Sequence, residues 1–214
     1  MFSNRADAGR RLAASLRHYR QHGDVLVLGL PRGGVPVAYQ VAQALNAELD
    51  VLIVRKLGVP FRPELAMGAI ASGGGISVND DVIAAARLTP EQFDQVRITE
   101  QRELERRERL FRGTRKPAAI QGRIVIVVDD GLATGATMRA ALGALRMLKP
   151  ARLVVAVPVA PAGSAERFAD VCDEFVCIET PDDFAAVGQF YENFSQTSDD
   201  EVRELLDRFA PEVR

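Results

Sequence analysis

The stretch Ile124-Val-Ile-Val-Val-Asp-Asp-Gly-Leu-Ala-Thr-Gly-Ala-Thr137 joins a continuous apolar run to a loop of acids, glycines and hydroxyls. The five β-branched residues of Ile124–Val128 have the composition of a strand that is buried on both faces. A helical pattern follows at residues 136–148. A buried strand that leads through a polar turn into a helix is typical of a parallel sheet covered by helices.

The rest of the chain repeats this alternation of apolar runs and helical patterns. Strands are predicted at residues 25–30, 51–54, 124–128, 153–157 and 174–178. Helices are predicted at residues 10–19, 33–45, 89–111, 136–148 and 198–209, two of which begin with capping boxes at Thr89 and Ser198. The sequence therefore predicts an α/β fold in which a parallel sheet is flanked by helices.

The 214 residues fit a single domain, and 47% hydrophobic with 26% charged residues is an ordinary globular composition. Within this domain of residues 1–214 we expect a small helical insertion or hood at 80–117 and a C-terminal segment with a helix at 179–214. Residues 58–75 are rich in Gly and Pro, and their length predicts a flexible functional loop instead of a routine connection.

Charge, hydropathy and cysteine spacing argue against several classes of protein. A net charge of −2 and a pI of about 5.8 give no general field that attracts nucleic acid. No apolar run approaches the ~20 residues that a membrane span needs, and the polar N-terminus shows no signal peptide. Cys172 and Cys177 lack the spacing of a redox pair or a zinc site, so we expect reduced thiols in a cytoplasmic protein.

Two adjacent carboxylates, Asp129 and Asp130, leave the predicted strand at its carboxyl end, where ligands bind in open parallel sheets. The glycines and hydroxyls that follow them are Gly131, Thr134, Gly135 and Thr137. Backbone N–H groups at the start of the next helix favour a phosphate. The loop therefore suits a sugar phosphate, although a plain Asp-rich turn with a helix cap remains the alternative.

Two further loops are predicted at the same edge of the sheet. Residues 29–34 follow the first strand and carry Arg32, whose planar guanidinium suits contacts with phosphate. Arg55 and Lys56 follow the second predicted strand. Either loop alone could be structural, but together they would place several cations beside the two carboxylates.

The segment from Val127 to Thr137 resembles the signature of type I phosphoribosyltransferases that binds 5-phosphoribosyl-1-diphosphate (PRPP). The resemblance implies that Asp129 and Asp130 hold the ribose hydroxyls. It implies that Arg32, Gly33 and Lys56 bind the diphosphate, and it makes the two aspartates and Lys56 the catalytic candidates. The 5′-phosphate would be bound by Ala133, Thr134, Gly135, Ala136 and Thr137. It also implies Mg²⁺ as cofactor, held by the aspartates through water, and a small nucleobase-like molecule as acceptor.

The same resemblance assigns roles to two less regular segments. Residues 58–75 correspond to the mobile catalytic loop of the family, in which Glu64 could handle a proton. Residues 180–188 are similar to the segment that lines the base pocket of 6-oxopurine members, so Phe184 is a candidate to stack on the acceptor. Phe184 as an ordinary core residue is an equal alternative.

Two departures from the family pattern keep other functions open. Ala133 stands where 6-oxopurine enzymes carry a third acid, so a regulator that senses PRPP without catalysis is one alternative. An unrelated α/β nucleotide-binding enzyme is another. The arginine- and glutamate-rich helix within 80–117 is expected to be a solvated helix, a hood over the base site or a homodimer contact. His18 and His22 are assigned no role.

Overall fold

The computed structural model describes residues 1–209. Its α-helices are α1 (Arg5–Ser15), α2 (Gly34–Leu45), α3 (Asp80–Ala85), α4 (Pro90–Arg112), α5 (Ala136–Arg146), α6 (Ser164–Phe168) and α7 (Asp199–Phe209). Its strands are β1 (Val25–Gly29), β2 (Glu48–Val51), β3 (Val54–Val59), β4 (Arg62–Ala71), β5 (Gly75–Val78), β6 (Ile124–Val128), β7 (Arg152–Val159) and β8 (Glu174–Glu179). The end of the predicted C-terminal segment, residues 210–214, lies outside the described residues.

Five strands form a parallel sheet in the order β2-β1-β6-β7-β8. The predicted α/β fold with helices on both faces is confirmed. Gly29 at the end of β1 pairs with Val51 of β2 and with Val128 of β6. These three strands therefore end side by side, and the loops that follow them leave from one edge of the sheet.

The alternation of side chains along each strand divides the core into two layers. Val27, Ile126 and Val154 face one side of the sheet, where they pack with residues of α1, α2, α4 and α7. Their neighbours Leu26, Val127 and Val155 face the other side, where they pack with α5. Because both faces are covered, the strands read as continuous apolar runs without polar alternation.

The prediction of a second strand at residues 51–54 is wrong in position. β2 ends at Val51, and Val54 begins β3, which belongs to a separate antiparallel sheet of order β3-β4-β5. Val51, Leu52 and Ile53 are all buried, so hydrophobicity alone gives no sign of the change of sheet between them.

The predicted irregular loop at residues 58–75 is also wrong, because most of it forms the antiparallel pair β3 and β4. The glycine at position 58 marks a close backbone approach: a Cβ on Gly58 would lie 2.5 Å from the carbonyl oxygen of Pro63. The strand register shifts on both sides of Gly58. Gly and Pro therefore mark a bulge in a hairpin here and not a loss of regular structure.

The predicted N-terminal helix at residues 10–19 begins too late. α1 starts at Arg5, because the side chain of Asn4 accepts a hydrogen bond from the Asp7 backbone and caps the helix. The chain then continues as a 3-10 helix at Arg17–Gln21.

The helical segment after β5 is fixed to the main sheet at its far end. Thr89 and Gln92 form the predicted capping box at the start of α4. At its end the buried Arg112 donates to Asp50 at 2.7 Å and to the Val51 carbonyl. The alternative of a merely solvated helix is therefore incomplete for α4, since one end of this helix is bound to β2.

Both cysteines are free thiols, and Cys172 is buried while Cys177 is half-buried. Across residues 1–209, no helix has the length and apolar character needed to span a bilayer.

Candidate substrate site

Asp129 and Asp130 follow β6 directly and lie half-buried at the edge where β1, β2 and β6 end. The Asp129 carboxylate accepts a hydrogen bond from the Asp130 backbone N–H at 2.9 Å. Burial raises the pKa of Asp129 well above its ordinary value, and the charge of Asp130 raises it further. Two carboxylates held this close favour ligands that donate hydrogen bonds or carry positive charge.

The cationic partner of this acid pair comes from the N-terminal helix. Arg5 donates from Nε to Asp130 Oδ2 at 2.8 Å, and its side chain is only 12% exposed. Its Nη1 donates to the Ser195 carbonyl, and its guanidinium lies 4.0 Å from the centre of the Phe194 ring. Arg5 is therefore fixed on three sides and holds Asp130 in place. No motif in the sequence pointed to it.

The C-terminal segment closes over the same loop. The Tyr191 hydroxyl donates to the Asp130 carbonyl at 2.6 Å, and burial raises the pKa of Tyr191 above its ordinary range. The Tyr191 ring packs on Phe2, with 5.4 Å between ring centres, and Val187 lies against Gly131. The N-terminal segment and the segment between β8 and α7 therefore both take part in positioning the acid pair.

The loop after β1 approaches the acid pair as closely as the backbone allows. A Cβ on Gly33 would lie 2.0 Å from Asp130 Oδ2 and 3.0 Å from Arg5 Nε. The backbone at Gly33 is right-handed helical, with φ −63°, so glycine is needed here for space and not for its conformation. The peptide bond between Pro31 and Arg32 in the same loop is cis.

The predicted phosphate loop is open to solvent. Ala133, Thr134, Ala136 and Thr137 are exposed, and Gly135 precedes α5 with φ +72°. The start of α5, which is the positive end of the helix, therefore lies at the surface, and its Ala136 N–H donates a long hydrogen bond to Thr134 Oγ1 at 3.4 Å. Arg167, which the sequence did not suggest, donates to the Thr134 carbonyl at 2.9 Å and holds the loop from outside.

The structure places the two predicted diphosphate cations in different clefts. Arg32 is exposed beside α4 and α7, in a cleft shared with Arg106 and Arg107. Lys56 lies on β3, exposed, in a cleft of about 350 Å³ that it shares with Glu64 and with Ala136 of the phosphate loop. Arg55 forms an ion pair with Glu100 of α4 at 2.6 Å and so braces the hairpin.

Phe184 lies near the acid loop but is not free. Its ring stacks on Phe190, with centroids 5.5 Å apart and an interplanar angle of 19°. It is half-buried against a small apolar cluster that includes Phe2 and Tyr191. One face of the Phe184 ring is therefore occupied by packing. This is the environment expected if Phe184 is an ordinary core residue.

The carboxylate oxygens of Asp129 and Asp130 fit Mg²⁺ only in a site whose remaining ligands are waters and substrate oxygens. Among residues 1–209, no group of three or more His, Cys, Asp or Glu could hold a metal ion. Asp130 is already bound by Arg5, and Asp129 by a backbone N–H. Mg²⁺ is often held by one or two carboxylates, with waters and substrate oxygens completing its shell, and these two residues match that pattern.

Comparison with known proteins gives one family. The sequence model described as phosphoribosyl transferase domain matches residues 2–195. A protein of Mycobacterium tuberculosis (strain ATCC 25618 / H37Rv), whose name assigns it provisionally as a phosphoribosyl transferase, is 51% identical over 208 residues. The match covers 97% of this chain and 47% of that protein, so the chain spans about half the length of this curated relative.

A solved structure matches the whole fold. The crystal structure of TT1426 from Thermus thermophilus superposes with a TM-score of 0.87 at 40% sequence identity. The superposition covers 99% of this chain and 100% of that one. A further relative, named bifunctional protein PyrR, from Chloroflexus aurantiacus, is 33% identical over 129 residues, which cover 59% of this chain and 65% of that protein.

Proposed function

Because this chain belongs to the phosphoribosyl transferase domain family, we propose that it transfers the phosphoribosyl group of PRPP to a nitrogen nucleophile and releases diphosphate. The observation that carries the proposal is the half-buried pair Asp129 and Asp130 beside an open helix start. Membership of the family also means that the alternative of an unrelated nucleotide-binding enzyme is wrong.

The sugar phosphate would lie along the loop between β6 and α5. Asp129 and Asp130 accept hydrogen bonds from the ribose hydroxyls, which supply the donors that two close carboxylates need. The 5′-phosphate binds the exposed N–H groups and hydroxyls at Ala133–Thr137, where the positive end of α5 favours an anion. Arg5 and Tyr191 do not touch the sugar in this arrangement. They are positioning residues that act through Asp130.

The diphosphate would extend toward the loop after β1, where Arg32 and the Gly33 N–H are available. Mg²⁺ would be bound by Asp129 and Asp130 through water and by diphosphate oxygens, and when bound it would neutralise charge on the leaving group. Lys56 shares its cleft with Ala136, so it approaches the substrate from the side of the 5′-phosphate. That position suits charge stabilisation across the bound PRPP and not proton transfer.

In the reaction, the bond between the anomeric carbon and the diphosphate oxygen breaks while the acceptor nitrogen forms a bond to the same carbon. The nitrogen then loses its proton to solvent water. The chain contributes orientation and charge stabilisation, which suit a transition state with oxocarbenium character. The hairpin β3–β4 lines the cleft with Lys56 and Glu64, and in this position it would exclude water from the anomeric carbon.

A regulator that binds PRPP without turnover is the second candidate. One observation favours it: Ala133 offers no acid for proton transfer. Both functions share the same PRPP site, so they differ only in whether an acceptor is consumed.

Calorimetric titration with PRPP and Mg²⁺ tests the shared part of the proposal. We expect the wild type to bind PRPP and the Asp129→Ala/Asp130→Ala variant to lose binding, while both keep the same circular dichroism spectrum. Absence of PRPP binding to the wild type at millimolar concentration would refute the proposal. Diphosphate release in a panel of purine, pyrimidine and other nitrogenous acceptors then identifies the enzyme, whereas binding without release identifies the regulator.

A further inference from the structure

Helix α4 and the loop after β1 enclose a cleft that shares Arg32 with the proposed PRPP site, whereas its α4 residues have no part in that site so far. Its volume is about 300 Å³. The residues that line it are Pro31, Arg32, Arg106, Arg107, Leu110, Phe111 and Asp199. Three of these side chains are cationic and one is anionic, so the cleft has an excess of positive charge.

The two arginines of α4 are held in position by one carboxylate. Arg106 Nε and Arg107 Nε donate to Glu103 at 2.8 and 3.0 Å. These hydrogen bonds lower the pKa of Glu103 to about 2, so it is ionised under all ordinary conditions. Glu103 therefore orients both guanidiniums in the absence of a ligand.

Each guanidinium keeps at least one nitrogen for a further partner. Arg106 donates to Glu103 from both Nε and Nη2, which leaves Nη1. Glu103 contacts Arg107 through Nε, and within residues 1–209 no other protein acceptor lies within hydrogen-bonding distance of its terminal nitrogens. The Arg32 side chain is 40% exposed, and among residues 1–209 the one carboxylate within 4 Å of it is that of Asp199, at 3.7 Å. That distance is too long for a hydrogen bond, so Asp199 neutralises part of the cleft without filling it.

We propose that Arg106 and Arg107 of α4 join Arg32 to bind a diphosphate-class anion in this cleft, with Asp199 as a carboxylate that competes for Arg32. The inference rests on the proposed function, because it makes α4 a part of the substrate site. Several guanidiniums around one cleft suit a ligand with several phosphate oxygens, which accept paired hydrogen bonds from each.

The position of the cleft connects it to the sugar site. Arg32 lines the cleft, and the next residue, Gly33, lies directly against Asp130. A ligand with phosphates in the cleft and a sugar at the acid pair would therefore lie along a single loop. This gives the inserted segment 80–117 a specific role, which its charge pattern alone did not define.

Titration with inorganic diphosphate, with and without Mg²⁺, tests the inference. The test variant is Arg106→Ala/Arg107→Ala. The matched control is Arg102→Ala/Arg109→Ala, which removes the same charge from exposed positions of the same helix that do not line the cleft. A third variant, Asp199→Asn, removes the competing carboxylate at nearly constant size.

We expect the test variant to bind diphosphate about tenfold more weakly, because charge-assisted hydrogen bonds are lost. The control should stay within about twofold of the wild type, and Asp199→Asn should bind more tightly. Equal losses in both double variants, or none in the test variant, would overturn the role of α4. Unchanged affinity in Asp199→Asn would overturn the competition by Asp199.

The same titrations with PRPP separate this inference from the proposed function. If PRPP binds the wild type and depends on Asp129 and Asp130 while the α4 variant binds diphosphate normally, only the inference fails. If neither PRPP nor diphosphate binds the wild type, both fail.

Discussion

At the scale of single residues, the candidate site depends on space as much as on charge. The loop after β1 can touch the acid pair only because position 33 carries no side chain. Replacement of Gly33 by Ala would place a methyl group inside the Arg5–Asp130 ion pair, which would have to separate or push the loop away.

We therefore expect Gly33→Ala to weaken PRPP binding about tenfold and to lower the free energy of unfolding by about 1–3 kcal/mol, as overpacking does. The control is Gly23→Ala, since a Cβ on Gly23 meets no atom within 4 Å. PRPP titration and urea unfolding measure the two effects. Normal PRPP affinity in Gly33→Ala would show that this contact is unimportant for the site.

Arg5 offers a second test at this scale. Without its guanidinium, Asp129 and Asp130 repel each other with no other cation of residues 1–209 paired to them, and Asp130 loses the contact that fixes its direction. We expect Arg5→Ala to reduce PRPP affinity about tenfold, as is usual when a partly buried charge loses its partner. Arg10→Ala on the same helix, 59% exposed, should bind PRPP as the wild type does.

The sequence could indicate those site residues whose position is fixed by neighbouring residues in the chain. Asp129 follows an apolar run directly and Arg32 follows one after a single proline, so their positions at the strand ends could be inferred from the sequence pattern. Arg5 could not, because its partner lies 125 positions away and its helix has no distinctive motif. The separation of Arg32 and Lys56 into two clefts also depends on the second sheet, which no local pattern announced.

At the scale of elements, the glycines and prolines of residues 58–75 were compatible with two structures, a flexible loop and a bulged hairpin, which the sequence could not distinguish. In the hairpin β3–β4 they allow a bulge and a close approach of two backbones, whereas the same composition is also typical of flexible loops. The capping box at Thr89 was predictable, because its hydrogen bonds join residues three positions apart.

The tie between α4 and β2 predicts a large effect on stability. Arg112→Ala would leave Asp50 buried within β2 without its cation, although Asp50 would still accept hydrogen bonds from the backbone N–H groups of Val51 and Ala118. We expect the free energy of unfolding to fall by about 3 kcal/mol. This is the lower end of the range for removing one partner of a buried ion pair, because Asp50 keeps its two backbone hydrogen bonds.

Arg97→Ala is the matched control for this measurement. It removes an arginine of the same helix whose pair with Asp94 is exposed, so a change below about 1 kcal/mol is expected in urea unfolding. Similar losses in Arg97→Ala and Arg112→Ala would mean that the buried pair does not anchor α4.

At the scale of the whole molecule, the edge strand β8 connects the core to the segment that closes over the acid pair. The Tyr19 hydroxyl donates to Glu174 at the start of β8, and Cys177 lies within the strand. Residues after β8 lead directly to Val187 and Tyr191, which contact the acid loop. Loss of order in β8 would therefore disturb the site as well as the core.

High pH should weaken this edge of the molecule. Burial raises the pKa of Cys177 to about 11, and burial with the Glu174 hydrogen bond raises the pKa of Tyr19 to about 12. In the unfolded chain these groups lose their protons near 9 and 10, so the stabilisation is complete below pH 9 and is lost as the pH rises through the folded values. We expect the melting temperature to fall steadily from pH 9 to pH 11. Cys177→Ala/Tyr19→Phe should fall less over this interval, whatever its melting temperature at neutral pH, and an unchanged slope would mean that other groups cause the alkaline loss.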